Sequence, residues 1–311
     1  MPSPEPENGA VSDAQRDNWV DRYFPELAKP FARLARWDRP IGFWLLFWPC
    51  AFSLAMAAMA VPVRGFNWWT MILTFIGAVA MRGAGCTLND IVDADLDAQV
   101  ERTRSRPIPS GDVGKQQAAL FLSAQLLVGF MILCQFNWLT IGLGALSLVL
   151  VGIYPFMKRI TWWPQLFLGL AFSWGALVGW TSETESLSLA PLLLYLGSIL
   201  WVIGYDTIYA LQDVEDDALI GIKSTARLFG ERVKPLVAVF YAGAIGCWLI
   251  AGTMVGGGRI FVPLLLIPAL ILAWQLLTLD PASADNALVR FKANHWVGLA
   301  LTIAFLAESY F

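Results

Sequence analysis

Long apolar runs recur along almost the whole of this 311-residue sequence. Runs of about 20 apolar residues match the length that an α-helix needs to cross the hydrocarbon core of a bilayer. Because 57% of the residues are hydrophobic and only 14% are charged, the chain lies outside the usual composition of soluble proteins. We therefore predict an all-α integral membrane protein with nine transmembrane helices, at 41–63, 67–88, 116–135, 138–156, 164–181, 188–210, 235–255, 260–279 and 291–309.

The basic residues indicate an orientation, because cytoplasmic loops collect Lys and Arg. With the N-terminus inside, only Arg64 and Arg259 fall in outer segments, and Arg82 lies within the second span. We expect the loops after the even-numbered spans to be cytoplasmic and the C-terminus to be periplasmic. The first 40 residues contain several acids and do not resemble an Arg-rich, acid-poor transit peptide, which favours a bacterial inner membrane.

The N-terminal region is polar, in contrast to the apolar remainder of the chain. We predict that residues 1–18 are disordered and that residues 19–40, which mix aromatic and basic residues, form an amphipathic segment at the membrane interface. Residues 41–311 then form one nine-helix domain in the lipid bilayer. A net charge of -3 gives no reason to expect nucleic acid as a partner, and no obligate protein partner is evident.

A first acidic stretch, N-D-I-V-D-A-D-L-D at 89–97, directly follows the second apolar run. Each helical residue advances the side chain by about 100°, so four oxygen-bearing side chains share one face while Asp95 points away. Crowded carboxylates repel one another unless a cation joins them, and hard oxygen ligands favour Mg²⁺. The face consists of Asn89, Asp90, Asp93 and Asp97, and Arg102, Arg104 and Arg106 follow it, which suggests a phosphate ester as ligand.

A second acidic stretch, within residues 205–226, repeats this arrangement at the end of the sixth apolar run. On a continuous helix its polar side chains share one face, and Glu215 points the other way. The face consists of Asp206, Tyr209, Asp213, Asp216 and Asp217. Two such faces at one membrane depth suggest two halves of one site that holds a diphosphate through two or more Mg²⁺ ions. Solvated charges at helix ends are the alternative, which the cost of ionisable groups near the membrane argues against.

These residues carry a family resemblance. The motifs are N-D-x-x-D-x-x-x-D with R-T-x-x-R-P-x-P-S-G, R-P-I-G at 39–42, Y-P-F-M-K-R at 154–159, W-P-Q at 163–165, and Y-D-T-I-Y-A followed by G-I-K-S-T-A. Together they cover nearly the whole chain, and on them the sequence resembles the UbiA family of intramembrane aromatic prenyltransferases. The resemblance implies a nine-helix bundle around a central cavity that opens to lipid, capped by the two acidic loops.

The resemblance also implies the reaction: Mg²⁺-dependent transfer of a polyprenyl chain from polyprenyl diphosphate to the ring carbon ortho to the hydroxyl of 4-hydroxybenzoate. It implies catalytic roles for Asp93, Asp97, Asp213 and Asp217, and a metal-ligand set that adds Asn89, Asp90 and Asp216. Candidates for binding the diphosphate are Arg102, Arg106, Tyr154, Lys158 and Lys223. Candidates for binding the aromatic acceptor are Arg39, Arg82 and Tyr209, although Arg39 also suits a membrane anchor and Arg82 a structural ion pair.

Two other functions fit parts of the sequence. A family member with another acceptor, such as homogentisate, dihydroxynaphthoate or haem, would share the acidic stretches. A cation transporter would also place carboxylates in helices, but we expect those near mid-membrane between repeated halves rather than beside Arg-rich loops at one surface.

Replacing Asp93 or Asp213 by Ala should abolish turnover and leave the protein folded, because the diphosphate would lose a metal ion. Asp95→Ala and Glu215→Ala, on the opposite faces, should have mild effects. Prenyl transfer in membranes, normalised to the amount of protein, checks this. Substantial activity in either of the first two variants contradicts the two-site hypothesis, and equal damage in the second pair contradicts the helical assignment.

Overall fold

The computed structural model describes residues 18–99, 103–219 and 221–310, without the side chains of residues 96, 216, 217 and 219. In this part of the chain the regular structure is entirely helical, which confirms the predicted all-α class. Of the segment 1–18, predicted to be disordered, only Asn18 is among the described residues. Arg102 also lies outside them, so its predicted contact with the diphosphate stays a prediction.

Fifteen α-helices follow one another in the described residues. They are α1 (Trp19–Tyr23), α2 (Lys29–Leu34), α3 (Ile41–Ala60), α4 (Trp68–Asp97), α5 (Lys115–Leu133), α6 (Trp138–Ile160), α7 (Pro164–Phe172), α8 (Gly175–Thr184), α9 (Leu189–Ala210), α10 (Val214–Leu219), α11 (Thr225–Phe229), α12 (Val233–Met254), α13 (Phe261–Leu264), α14 (Leu266–Thr278) and α15 (Ala284–Tyr310). Short 3₁₀ helices occupy Pro62–Arg64, Leu211–Asp213 and Gly230–Arg232.

Several helices begin at a polar side chain that accepts a backbone hydrogen bond. Asn67 accepts from the Thr70 N–H before α4, Asn137 from the Thr140 N–H before α6, and Ser224 from the Arg227 N–H before α11. Such caps satisfy N–H groups that have no partner within the helix, which matters most where little water is available. In these three helices the Asn or Ser marks the N-terminal end.

Seven helical segments among the described residues are long and apolar enough to cross a membrane. They correspond to seven of the nine predicted spans. The predicted span at 164–181 is divided between α7 and α8 at Ser173 and Trp174. The predicted span at 291–309 lies within α15, where Asn294 and His295 lower the apolar character. The multi-pass architecture is confirmed, and the exact number of nine stays a prediction.

The helices form two compact units. The first unit consists of Met1–Trp44 and Phe75–Ile132, and its described part holds α1, α2, most of α4 and α5. Its core joins α2 to the end of α4 and to the start of α5. The buried members of this core are Leu34, Ala94, Ile108, Val113 and Ala118, with Phe31, Ile91 and Phe121 packed against them.

The second unit consists of Leu45–Thr74 and Leu133–Phe311. At its centre lies α9, which packs against α7, α8, α12 and α15. A buried polar chain links four helices: the Trp201 indole donates to Asn294 (2.7 Å), Asn294 donates to Gln275 (3.3 Å), and the Tyr241 hydroxyl donates to Gln275 (2.8 Å). Because these groups are almost completely enclosed, each hydrogen bond avoids the cost of burying an unpaired polar group.

Within the second unit, α8 approaches α3 at two glycines four residues apart. A Cβ atom at Gly179 would lie 2.6 Å from the backbone oxygen of Cys50, and one at Gly175 would lie 3.0 Å from its backbone nitrogen. Beside them the Ser53 hydroxyl donates to the Ala176 oxygen (2.5 Å). Small residues at this spacing allow two helix backbones to pack closely in a membrane.

Gly179→Ala should lower the thermal stability of the detergent-solubilised protein, by about 1–3 kcal/mol, because the added methyl group meets backbone that cannot move cheaply. Gly142→Ala is the matched control: Gly142 is exposed in the second turn of α6, and a Cβ there meets nothing within 4 Å. Thermal unfolding of both variants checks the contrast. Equal melting temperatures for the two would show that α3 and α8 do not need this close contact.

Candidate active site

Three carboxylates are buried on one side of α4 near its C-terminal end. Asp90, Asp93 and Asp97 are 0%, 3% and 8% exposed, and Asn89 is half-buried. Asp95 is exposed instead, and its carboxylate pairs with the Lys115 ammonium at 3.0 Å. The helix thus divides these acids between an inner and an outer face, as its periodicity predicts.

Two arginines contact the buried carboxylates. The Arg36 Nη2 donates to Asp90 Oδ1 at 2.7 Å, and the Arg106 Nη1 lies 2.7 Å from Asp97 Oδ2 and 3.4 Å from Asp90 Oδ1. Burial raises the pKa of Asp97, and Arg106 opposes this effect. The sequence predicted a functional role for Arg106 but did not single out Arg36. The available signal was its position in the basic cluster directly before the first predicted span.

The loop after α4 holds Arg106 in place through its own hydrogen bonds. The Thr103 hydroxyl donates to the Asp97 backbone oxygen (2.9 Å), and the Arg106 N–H donates to the Thr103 oxygen (3.0 Å). Further along, the Val113 N–H donates to the Pro107 oxygen (2.8 Å). The R-P-x-P-S-G motif therefore forms a compact loop that carries Arg106 back to the acids.

The second acidic stretch does not form the continuous helix that its spacing suggested. Asp206 and Tyr209 lie on α9, but Asp213 is the last residue of the 3₁₀ helix Leu211–Asp213. A 3₁₀ helix has three residues per turn, so the arc calculated for an unbroken α-helix does not hold beyond Ala210. The prediction of one continuous α-helix is therefore wrong, and the shared face of these side chains stays a prediction. Asp216 and Asp217 lie in α10, and their side chains are outside the described residues.

Tyr209 belongs to an aromatic group between α9 and α15. Its ring centroid lies 4.5 Å from that of Phe291, and the Phe291 ring also contacts Tyr205 at 5.7 Å. Tyr205 in turn packs edge-on against Trp201 at 5.1 Å. Tyr209 is half-buried, and of these four aromatic residues it is the closest to Asp213 in the sequence. Its contact with an acceptor ring stays a prediction.

Lys158 and Lys223 come together at the end of α6. The Lys223 backbone N–H donates to the Lys158 oxygen (3.0 Å), and the Lys223 ammonium donates to the Ile160 oxygen (3.1 Å). A cation at the C-terminus of a helix is stabilising there. Lys223 thus has a structural contact that the sequence did not predict. Tyr154 and Lys158 lie on α6 and are half-buried.

The two arginines proposed from the sequence for the aromatic acceptor both lie in the first unit. The Arg39 guanidinium donates to Asp38 at 3.2 Å. The Arg82 guanidinium packs against Gly42, where a Cβ atom would lie only 2.6 Å from Nε. The glycine of the R-P-I-G motif therefore leaves the space that Arg82 occupies.

The donor set at the first acidic stretch suits a hard divalent cation. Asp93 and Asp97 supply buried carboxylate oxygens, whereas Asp90 is paired with Arg36 through its Oδ1. Among the described residues no three His, Cys, Asp or Glu side chains are grouped closely enough to hold a metal ion by themselves. Mg²⁺ is a hard ion that is usually bound through one or two protein carboxylates, completed by substrate phosphates and water.

Comparisons with known proteins agree with this architecture. The model of the UbiA prenyltransferase family matches residues 46–298. The mitochondrial 4-hydroxybenzoate polyprenyltransferase of Arabidopsis thaliana is 45% identical over 90% of this chain and 69% of its own length. The corresponding mitochondrial enzyme of Drosophila melanogaster is 48% identical over 88% of this chain and 70% of its own. A 4-hydroxybenzoate geranyltransferase of Lithospermum erythrorhizon is 41% identical over 97% of both chains.

Solved structures show the same fold. A UbiA homologue from Aeropyrum pernix superimposes with a TM-score of 0.68, at 26% identity over 83% of this chain and 97% of its own. A UbiA homologue from Archaeoglobus fulgidus, bound to GPP and Mg²⁺, superimposes with a TM-score of 0.64, at 18% identity over 89% of this chain and 99% of its own.

The predicted location in a bacterial inner membrane is wrong. The relatives from Arabidopsis and Drosophila, and another from rat, are mitochondrial enzymes of eukaryotes. The prediction rested on the composition of the first 40 residues, which report little about the type of membrane. The spans themselves obey the same hydropathy constraint in every bilayer, so they did not discriminate either. The multi-pass character of the chain is unaffected.

The family model covers far more than half of the chain, and relatives more than 40% identical extend over most of it. The helical architecture matches solved members, and the buried acidic face of α4 lies within the matched region. The chain belongs to the UbiA prenyltransferase family.

Proposed function

We propose that the chain transfers a polyprenyl group from polyprenyl diphosphate to 4-hydroxybenzoate in a Mg²⁺-dependent reaction. The new bond forms at the ring carbon ortho to the hydroxyl, and the products are 3-polyprenyl-4-hydroxybenzoate, diphosphate and a proton. The observation that carries this proposal is the buried acidic face of Asp90, Asp93 and Asp97 in a chain whose relatives, 41–48% identical, bear the names of 4-hydroxybenzoate prenyltransferases.

Carboxylates and one amide would hold the metal. We propose Asn89, Asp93, Asp97, Asp213 and Asp217 as ligands. Bound Mg²⁺ would neutralise charge on the diphosphate and make it a better leaving group. The Asp93 and Asp97 side chains are buried, and buried carboxylates need a counter-charge most. The Archaeoglobus homologue with bound GPP and Mg²⁺ supports this assignment by fold alone.

Basic side chains would bind the diphosphate oxygens. Arg106 stands 2.7 Å from Asp97 in the first unit, and Lys158 lies half-buried on α6 with Tyr154 one turn before it. When the allylic C–O bond breaks, its electron pair leaves with the diphosphate, and these cations would stabilise the departing charge. The ring carbon then supplies the electron pair for the new C–C bond, and the ring proton is lost.

The membrane supplies the second requirement of the reaction, which is the exclusion of water from an allylic cation. Residues 41–311 would form the catalytic domain in the lipid bilayer. Residues 19–40 would lie at the membrane surface, which is supported by the exposed aromatic rings of Trp19 and Tyr23 beside the basic Arg22.

Membranes that contain the protein should prenylate radiolabelled 4-hydroxybenzoate when supplied with geranyl diphosphate and Mg²⁺. EDTA should abolish the product, and excess Mg²⁺ should restore it. Without the metal ion, the negative charge of the diphosphate would face the negative charge of the carboxylates. Parallel reactions with homogentisate and 1,4-dihydroxy-2-naphthoate test the acceptor, and membranes without the protein are the control. Product from another ring alone would contradict the proposed acceptor, and turnover that persists in EDTA would contradict the metal requirement.

A further inference from the structure

We propose that Arg36 is a positioning residue for the prenyl transfer. It neutralises the carboxylate of Asp90, so that the guanidinium of Arg106 stays paired with Asp97. The inference rests on the proposed function. Arg36 lies in front of 46–298, the range that the family model matches.

The backbone at Arg36 is in a conformation that its side chain makes costly. After α2 the chain closes with the Arg36 N–H donating to the Arg33 oxygen (3.0 Å) and the Trp37 N–H donating to the Ala32 oxygen (2.9 Å). This is the Schellman pattern, and its left-handed position, with a φ of 60° here, is usually occupied by glycine. An arginine at this position indicates that the side chain, rather than the turn, is what the site requires.

That side chain reaches a fully buried acid. The Arg36 Nη2 donates to Asp90 Oδ1 at 2.7 Å, and its Nη1 donates to the Arg33 oxygen at 3.0 Å. The Asp90 carboxylate is 0% exposed, so its charge cannot be compensated by water. Among the described residues, Asp90 makes one further ion pair, the longer one to Arg106 at 3.4 Å.

Arg106 is shared between two acids, and this sharing gives Arg36 its role. Its Nη1 lies closer to Asp97 (2.7 Å) than to Asp90 (3.4 Å). Without Arg36, the buried Asp90 would be left with Arg106 as its main counter-charge, and Arg106 would be drawn away from Asp97. The loss would therefore appear at Asp97 and at the diphosphate, although Arg36 contacts neither.

The neighbouring packing makes α2 a rigid support for this contact. Leu34 is fully buried against Ala94, which lies on α4 between Asp93 and Asp97. One turn earlier on α2, the Phe31 ring packs edge-on against Phe121 of α5, with centroids 5.3 Å apart. Arg36 is thus attached to a helix that is itself fixed to the acidic end of α4. Arg36 therefore reaches the acidic face from a support that is fixed in place.

The test compares Arg36→Gly, Arg36→Lys and Arg36→Gly/Asp90→Asn in the full-length chain. Glycine removes the side chain but suits the left-handed backbone, which separates loss of the contact from loss of the turn. Arg36→Gly should lower kcat/KM for geranyl diphosphate by about 10- to 100-fold, the range typical of residues that orient ligands. Arg36→Lys should retain part of the activity, since it keeps the charge but not the forked geometry.

The double variant addresses the charge of Asp90. Asparagine at position 90 no longer draws Arg106 from Asp97, so Arg36→Gly/Asp90→Asn should regain most of the activity lost in Arg36→Gly. A second readout is the rise in melting temperature that Mg²⁺ and inorganic pyrophosphate produce in the detergent-solubilised protein. This rise should shrink in Arg36→Gly and return in the double variant.

Arg33→Gln is the matched control, because Arg33 lies three residues earlier and pairs with Asp21 at 3.0 Å, outside the acidic cluster. It should keep wild-type kinetics and the wild-type ligand-induced rise. Wild-type activity in Arg36→Gly would overturn the inference, and so would a double variant as inactive as Asp93→Asn, which would make Asp90 a metal ligand. Absence of product from the wild-type protein would instead overturn the proposed function.

Discussion

The burial of negative charge at the end of an apolar helix is the constraint on which the first acidic region depends. Asp90, Asp93 and Asp97 lie on the inner face of α4, where water is scarce and an uncompensated carboxylate is costly. Arg36 and Arg106 supply counter-charge from two different segments, one before α3 and one after α4. The α2 turn and the R-P-x-P-S-G loop can therefore be understood as supports that carry these two arginines to the acids.

In the second unit the corresponding buried polar groups are uncharged, and they form hydrogen bonds to one another. The chain from Trp201 through Asn294 and Gln275 to Tyr241 joins α9, α12, α14 and α15. Apolar side chains alone provide little preference between helix arrangements in lipid, because the lipid tails are equally apolar. Hydrogen bonds between fixed partners, and the close contact of α8 with α3 at Gly179, supply directionality that the hydrophobic pattern lacks.

In the proposed chemistry, the apolar and the acidic parts of the molecule have different roles. Apolar helices would exclude water from an allylic cation, and the acidic ends of α4 and α9 would manage the diphosphate and its metal ions. If Arg36 acts as proposed, the first acidic stretch contains two classes of carboxylate. Asp90 would organise the arginines, while Asp93 and Asp97 would face the metal, although all three occupy the same helical face.

Hydropathy and the 3.6-residue period are local properties, so the sequence was sufficient to predict the class of the fold, the bounds of most spans and the separation of Asp95 from its buried neighbours. It also carried the family motifs, although the composition of its first 40 residues misdirected the choice of membrane. The pairing of Asp90 with Arg36, 54 positions earlier, could be seen only in the folded chain, since such a contact depends on how the chain returns and not on spacing. The same holds for the 3₁₀ turn at Leu211–Asp213 and the contact of Lys223 with the end of α6, where local hydrogen bonding overrides the regular helical period.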